Sequence, residues 1–312
     1  SKRYLLVPEG QPVPQGLDED VSILQEPLQN IYLVASGAMD MFASLDAVDQ
    51  IRFSGQKQEN WYIQTAKDAM AAGDMIYAGK YSKPDYELLV SEGCDLAIEN
   101  RMITHSPEVV EMLESFDIPV MIEYSSYEQH PLGKVEWVKF FGALTGKEAK
   151  AEEAFAEQTE ILEEVESGEK TGKTIAFFYV TSNGLIQVRQ STDYIPKLIE
   201  LAGGRYIFEN LEDSGSGRST LNMQVEDFYA GAKDADILIY NSSIDGGVTT
   251  VDELIGKCNI LKDFKAVQEG QVYCTTNDMY QQSMAIGYLL QDMHTVLTDD
   301  DTAKLRYLFL LQ

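Results

Sequence analysis

Two stretches of the chain decide the fold: KPDYELLVSEGCDLAIEN at residues 83–100 and NMQVEDFYAGAKDADILIYN at residues 222–241. Each stretch carries, in the same order, an acidic residue in a short helical segment, an aspartate (Asp95 or Asp236), a run typical of a buried strand, and a polar loop. The repeat of this order indicates two units of similar construction within one chain.

Short apolar runs alternate with helical patterns around the first stretch. Strands are predicted at IYLVAS (31–36), 51–54, DLAIE (95–99) and IPVMIEY (118–124), and helices at 39–45, 85–92 and 107–116. Strands that alternate with helices of about ten residues predict a parallel sheet covered on both faces. The first 25 or so residues mix proline, glycine and acids, and we expect them to form an exposed, extended arm.

A second alternating half follows a long helical pattern at 147–167. Its strands are predicted at TIAFFYV (174–180), 236–240 and 271–275, with a turn and short strand at 184–189. Its helices are predicted at 193–202, 225–232, 251–255 and 281–297. The predicted fold is α/β, with two doubly wound α/β lobes joined by a single long interdomain helix. The lobes are placed at 1–146 and 169–312 and the helix at 147–168. Because ligands bind beyond the carboxyl ends of strands in such sheets, a ligand cleft is expected between the lobes.

Composition excludes several classes of function. The 312 residues contain 24 Lys plus Arg against 51 Asp plus Glu, a formal charge of −27, so nucleic acid is not an expected partner. No window approaches 18 consecutive apolar residues, as a membrane-spanning helix would need. The apolar run within the first ten residues, SKRYLLVPEG, is too short to be the apolar core of a signal peptide. The protein is therefore cytosolic, or its export signal has been removed. The three cysteines and three histidines are too scattered for a disulfide scaffold or a metal site.

Several segments together resemble the helical-backbone class, class III, of solute-binding proteins of ABC importers, which carry ferric siderophores, haem or vitamin B12. The matching segments are NIYLVASGAMDMFASLDAVDQI (30–51), YAGKYSKPDYELLVSEGCDLAI (77–98), ESFDIPVMIEY (114–124), HPLGKVEWVKFFGALTGKEAKAEE (130–153), TIAFFYV (174–180), DYIPKLIELAGGRYIF (193–208) and VEDFYAGAKDADILIY (225–240). The resemblance implies a monomeric, non-enzymatic periplasmic or cell-surface lipoprotein without an intrinsic cofactor. It would deliver a small-molecule metal chelate to an ABC permease dimer. The lipoprotein signal and lipidated cysteine of the family are absent from this sequence, so anchoring to a membrane is implied by the resemblance alone.

Two glutamates are implicated in docking by the resemblance. Glu87 and Glu226 lie where the family has one glutamate in each lobe that meets an arginine of the permease. One carboxylate on the same outer face of each lobe would fix the orientation of the protein by charge-assisted hydrogen bonds. The alternative is that both are ordinary surface acids in a chain rich in glutamate.

Candidate ligand contacts follow from positions at predicted strand ends. An arginine fork suits an anionic ligand, tyrosines suit a flat chelate, and methionine or asparagine could add soft or hydrogen-bonding contacts. The candidates are Arg101, Arg189, Lys57, Tyr124, Tyr127, Tyr179, Tyr280, Met39 and Asn241. The alternatives are arginines paired with neighbouring acids and tyrosines or methionines that only pack. The three histidines do not fall at strand ends, which argues against free zinc or manganese as cargo.

The order of preference for the cargo is a ferric siderophore or related iron complex, then haem, then a corrinoid. An enzyme built from two such lobes, for example a glycosyltransferase or a dehydrogenase, is the alternative of another class. Against it, no GxGxxG follows the first strand and no nucleophile–base–acid set is visible. GSGRST at 215–220 lacks the spacing of a phosphate loop and is expected to be a mobile polar loop.

Overall fold

A computed structural model describes residues 2–211, 219–244, 246–299 and 302–312, so most of the GSGRST segment, residues 215–218, lies outside the described residues. The chain forms two compact units. The N-terminal unit comprises the chain up to Ser126 together with Glu136–Phe155 and Gln281–Met284. The C-terminal unit comprises Tyr127–Val135, Ala156–Tyr280 and Ala285–Gln312. Each unit thus draws on several segments rather than on one continuous stretch.

The N-terminal unit is built on a parallel sheet. Its strands are β1 Arg3–Val7, β2 Val21–Gln25, β3 Ile31–Leu33, β4 Ile51–Ser54, β5 Ile76–Tyr77, β6 Gly79–Lys80, β7 Lys83–Pro84, β8 Leu96–Asn100 and β9 Val120–Glu123. Its helices include α1 Ala38–Ser44, α2 Gln64–Ala72, α3 Tyr86–Ser91 and α4 Pro107–Ser115. The main sheet has the order β5-β4-β3-β8-β9 with every pairing parallel. Buried apolar residues cover both faces, as the sequence predicts.

The N-terminal segment, expected to be an exposed, extended arm, is exposed over residues 8–20 but carries a paired strand at each end. Strands β1 and β2 pair in parallel over their whole length, from Arg3 opposite Val21 to Val7 opposite Gln25. Val7 and Leu24 are buried, and the Tyr4 hydroxyl donates a hydrogen bond to the Val120 carbonyl at 2.8 Å. The apolar residues of RYLLV and VSILQ, rather than the Pro- and Gly-rich segment between them, determine the structure here.

Two long helices contribute residues to both units: α5 Pro131–Thr145 and α6 Glu148–Glu166. Helix α6 has 19 residues, close to the predicted span, and at 1.5 Å per residue it is roughly 28 Å long. It is strongly acidic on its exposed positions, and Ala151, Leu162 and Val165 are buried. In the part of the chain that the structure describes, no helix is both long and apolar enough to cross a membrane.

The C-terminal unit contains a mixed sheet. Its strands are β10 Thr174–Val180, β11 Ile186–Arg189, β12 Arg205–Tyr206, β13 Thr220–Met223, β14 Ile237–Tyr240, β15 Val272–Thr275 and β16 Leu308–Leu310. Its further helices are α7 Tyr194–Leu201, α8 Val225–Ala232, α9 Val251–Lys257, α10 Lys265–Gln268 and α11 Ile286–Thr298. The order is β13-β11-β10-β14-β15-β16, with β12 also paired to β10. Strands β10, β12, β14 and β15 are parallel, whereas β11, β13 and β16 are antiparallel to their neighbours. The mixed C-terminal sheet therefore differs from the all-parallel N-terminal sheet.

A tight turn causes the first antiparallel pairing. Strand β10 ends at Val180 and β11 begins at Ile186, with the Gly184 N–H bonded to the Thr181 carbonyl at 2.9 Å. Gly184 has a φ of +79°, which glycine adopts without steric cost. The Asn183-Gly184 dipeptide is a typical hairpin signal, so the sequence contained the information needed to predict this reversal.

The repeat found in the sequence is also a repeat in the structure. In the N-terminal unit, Asp95 Oδ2 accepts hydrogen bonds from the backbone N–H groups of Gln29 and Asn30, each at 2.9 Å. In the C-terminal unit, Asp236 Oδ2 accepts from the Thr174 N–H at 2.7 Å and from the Thr174 hydroxyl at 2.8 Å. Asp95 thus links the beginning of β8 to the residues just before β3, its neighbour in the sheet. Asp236 links the beginning of β14 to the first residue of its neighbour β10 in the same way.

Candidate functional site

The C-terminal unit brings Arg189, Tyr280 and Asn241 into one connected group. Arg189 Nη1 lies 3.4 Å from Asp193 Oδ2, and the two side chains are 10% and 1% exposed. The Arg189 guanidinium carbon lies 5.3 Å from the centre of the Tyr280 ring. The Asn241 side-chain amide donates to the Tyr280 hydroxyl at 3.0 Å. Three residues predicted from strand ends therefore share one polar and aromatic cluster.

The backbone around this group holds it in place. Asp193 caps helix α7, because its Oδ1 accepts from the Ile195 N–H at 2.9 Å. The Tyr206 hydroxyl accepts from the Arg189 N–H at 3.0 Å and donates to the Arg189 carbonyl at 2.8 Å. Burial raises the pKa of the Tyr206 phenol, which therefore stays protonated and able to donate this bond.

The geometry of Arg189 differs from the sequence-based interpretation in two respects. Arg189 is the last residue of β11, as predicted, but β11 runs antiparallel to β10. Arg189 therefore lies beside Phe177 in the middle of β10, and its guanidinium carbon is 5.7 Å from the centre of the Phe177 ring. Its charge is balanced by Asp193, which is the alternative that the sequence analysis left open. The pair can offer oriented donors to a ligand, but it adds little net positive charge.

Lys134 was missed by the sequence analysis. This lysine of α5 is 4% exposed, and its Nζ lies 5.2 Å from the centre of the Tyr194 ring. Burial raises the pKa of the Tyr194 phenol, while Arg189 lowers it, which shows that the Arg189 charge acts on this ring. A buried lysine near Tyr194 follows from tertiary packing, and the HPLGKVEW segment contains no local signal for it.

Two further candidates, Tyr179 and Tyr127, also lie in the C-terminal unit. Tyr179 is partly buried on β10, with its ring centre 6.3 Å from that of Tyr240. Tyr127 is exposed in the single-turn helix Ser125–Tyr127. Both tyrosines remain predicted ligand contacts.

In the N-terminal unit, three candidates follow strands of the parallel sheet. Lys57 comes shortly after β4, Arg101 directly after β8, and Tyr124 directly after β9. Because the strands are parallel, these positions lie along one edge of the sheet. Lys57 and Tyr124 are exposed, and Arg101 is partly exposed. The prediction that they follow carboxyl ends is confirmed, and their role in binding remains a prediction.

Met39 is not available to a ligand. It lies in α1 rather than in a loop, is fully buried, and belongs to the core that covers one face of the sheet. The apolar pattern of AMDMF at helical spacing explains this placement, since positions one turn apart face the same core.

Glu99 on β8 is a second residue whose importance the sequence analysis missed. Its carboxyl group is fully buried, and neither oxygen has a hydrogen-bond partner among the described residues. Burial raises the pKa of Glu99 from 4.5 to about 8, so the side chain is largely protonated at neutral pH. A single acid inside the apolar run DLAIEN was the available signal.

Glu87 and Glu226 occupy equivalent places in the two units. Each is exposed and lies in the first turn of a short helix, α3 or α8. Each helix is followed by the aspartate, Asp95 or Asp236, that ties down the next strand. In the described ranges, no three His, Cys, Asp or Glu side chains are grouped so that they could hold a metal ion.

Comparison with known proteins places the chain in a family. Residues 34–279 match the model of the periplasmic binding protein family, and the chain belongs to that family. The family match agrees with the two α/β units and with the resemblance seen in the sequence.

Three individual proteins illustrate the similarity. The chain is 24% identical over 314 residues to an uncharacterized lipoprotein of Methanocaldococcus jannaschii, covering 95% of this chain and 72% of that protein. A periplasmic haem-binding protein of Vibrio cholerae has a similar fold, with a TM-score of 0.67, 14% identity, and coverage of 86% of this chain and 98% of that one. A protein of an ABC-type Fe3+-hydroxamate transport system of Saccharomonospora viridis gives a TM-score of 0.63 at 16% identity, covering 86% and 93%.

Proposed function

We propose that this protein is an extracytoplasmic receptor that captures a metal chelate and delivers it to the permease dimer of an ABC transporter. The observation that carries the proposal is the pair of exposed glutamates, Glu87 and Glu226, at equivalent places in two α/β units of a periplasmic binding protein. The similar lipoprotein and the similar ABC transport protein support an extracytoplasmic location and a permease partner.

The C-terminal cluster supports an oxygen-rich, partly aromatic cargo. The Tyr280 ring and hydroxyl, the Asn241 amide and the Arg189 guanidinium offer a flat apolar surface beside several hydrogen-bonding groups. A ferric siderophore has many ligand oxygens and suits such a surface best. Haem is the second candidate, because the tyrosines also suit a planar macrocycle, and a corrinoid is the third. One similar structure is a haem-binding protein and another belongs to an Fe3+-hydroxamate transport system, which supports placing these two iron compounds ahead of a corrinoid.

The mechanism is binding without chemical change. Cargo would contact the carboxyl-edge residues of the units, and Glu87 and Glu226 would each form a charge-assisted hydrogen bond with a cationic residue of the permease. Two separated carboxylates fix both the position and the rotation of the docked protein, which one carboxylate cannot do.

The test is transport by a double variant, Glu87→Lys/Glu226→Lys. We expect uptake of the chelate to fall about 100-fold or more, since two attractive contacts become repulsive, while cargo affinity changes less than about threefold. The matched control is Glu19→Lys/Glu160→Lys, which makes the same charge change at one exposed glutamate of each unit. Normal uptake by the first variant, or loss of cargo affinity instead of uptake, would contradict the docking assignment.

A further inference from the structure

Helices α3 and α4 of the N-terminal unit expose apolar side chains beside Glu87. Val90 of α3 is 47% exposed, Met112 of α4 is 45% exposed, and Phe116 at the end of α4 is 43% exposed. Glu108, in the first turn of α4, is also exposed. We call Tyr86, Glu87, Val90, Glu108, Met112 and Phe116 the α3/α4 surface.

Tyr86 connects the two helices of this surface. Its ring centre lies 6.1 Å from that of Phe116. Burial raises the pKa of the Tyr86 phenol, and the Glu108 carboxylate raises it further.

Helical spacing orders the remaining side chains. Tyr86 and Val90 lie one turn apart on α3, with Glu87 and Val90 also on neighbouring positions of one face. On α4, Glu108, Met112 and Phe116 follow each other at intervals of four residues, which places them in one row. The Tyr86–Phe116 ring contact thus joins a row on α3 that contains Glu87 and Val90 to a row on α4 that contains Glu108 and Met112.

The equivalent helix of the C-terminal unit has no such apolar area. Helix α8 carries Glu226 and Asp227, but Phe228 is fully buried. The Tyr229 ring packs 5.7 Å from Phe264, and Lys233 Nζ lies 5.7 Å from the Tyr229 ring centre. Among the described residues, the large apolar side chains that are well exposed include none from α8.

We propose that the α3/α4 surface is a permease-docking surface in which Glu108 is a second anionic contact and Val90, Met112 and Phe116 bury apolar area. The partner it fits is a permease loop or helix that presents arginine or lysine next to an apolar side chain, because the surface combines two carboxylates with half-exposed apolar groups. This inference rests on the proposed function. It assigns the larger share of docking affinity to the N-terminal unit, while α8 contributes charge alone.

The first experiment measures binding of the full chain to its own transporter's permease in lipid nanodiscs. Val90→Thr/Met112→Gln replaces apolar area with polar groups of similar size, and we expect about tenfold weaker binding, mainly through faster dissociation. Val13→Thr/Leu17→Gln is the control, because those side chains are 41% and 38% exposed in the same unit but lie outside this surface. Equal affinities of the two variants would overturn the inference.

The second experiment tests Glu108. Glu108→Gln should slow association and reduce its dependence on salt, whereas Glu114→Gln should not, because Glu114 pairs with Lys2. Glu87→Lys separates the two proposals. If Glu87→Lys abolishes binding while the Glu108 and Val90/Met112 variants bind normally, the inference fails and the proposed function stands. If Glu87→Lys also binds normally, the docking part of the proposed function fails too.

Discussion

The two units can be compared residue by residue at the strands β8 and β14, which follow helices α3 and α8. Asp95 and Asp236 each accept a backbone N–H hydrogen bond from the beginning of the neighbouring strand. Asn100 Oδ1 accepts from the Met102 N–H at 2.9 Å, and Asn241 Oδ1 accepts from the Ser243 N–H at 3.3 Å. Between them, Glu99 of β8 takes the place of Tyr240 of β14. The aspartate and asparagine that bond to the backbone are therefore shared by the two units. The buried residue immediately before the asparagine, Glu99 or Tyr240, differs between them.

The candidate ligand contacts also differ between the two units. In the C-terminal unit, Asn241 is joined to Tyr280, and Tyr280 lies against Arg189. In the N-terminal unit, Lys57 and Tyr124 are exposed. We propose that the Asn241–Tyr280–Arg189 cluster is preorganised for the proposed ligand, whereas ligand contacts of Lys57 and Tyr124 would form by adjustment of exposed side chains.

The largest expected effect concerns Glu99 and pH. Because the folded-state pKa of about 8 lies above the ordinary value of 4.5, the contribution of Glu99 to stability is fully present below pH 4.5 and is lost as pH rises through 8. Glu99→Leu, which makes this position apolar as in the C-terminal unit, should raise the free energy of unfolding at pH 8 by about 2 kcal/mol or more. Urea unfolding from pH 5 to 9 measures it.

The control for this prediction is Glu111→Gln, since Glu111 is exposed on α4. It should leave the pH dependence of the free energy of unfolding unchanged. A Glu99→Leu variant with the same pH dependence as the parent would show that Glu99 is not held neutral.

The next effect distinguishes the two aspartate ties. Burial opposes ionisation of Asp236, but hydrogen bonds from Lys265, at 2.6 Å, and Thr174 outweigh it and lower its pKa. Asp236→Ala should therefore cost about 2–3 kcal/mol of unfolding free energy, and Asp95→Ala, which frees two backbone N–H groups, about 1–2 kcal/mol. The Asp236 contribution should disappear as pH falls below the ordinary value of 3.8. Equal losses, measured by urea unfolding, would contradict the difference between the ties.

A smaller effect is expected at the C-terminal edge. Tyr280→Phe removes the hydroxyl that accepts from Asn241. It should weaken cargo binding about five- to tenfold, the effect of one hydrogen bond. Tyr62→Phe is the control, because Tyr62 is exposed in the N-terminal unit and is not a candidate contact. Isothermal titration that gave equal affinities for both variants would remove Tyr280 from the site.

The smallest effect is expected at Met39. Met39→Leu conserves volume in a fully buried position, so the unfolding free energy should change by less than about 1.5 kcal/mol and cargo affinity should not change. A measurable loss of cargo affinity with unchanged stability would restore Met39 as a ligand contact.

Much of the secondary structure is predictable from local sequence, because amphipathic patterns act over a few residues. The bounds of α8, for example, agree with the predicted 225–232. The direction of β11 was missed although Asn183-Gly184 signals a hairpin, and the pairing of β1 with β2 depends on contacts between segments separated by a long loop. The burial of Lys134 arises from tertiary packing, which apolar periodicity does not encode.

The most direct test of the account is a thermal shift of the purified protein against ferric siderophores, haem, cobalamin, ATP and NAD. A ligand at 100 times its Kd adds about 2.7 kcal/mol of stability, which corresponds to a rise of about 5 °C or more in Tm for a domain of this size. A receptor for a metal chelate should show such a rise with one class of chelate and none with the nucleotides. A rise with ATP or NAD and none with any chelate would contradict it.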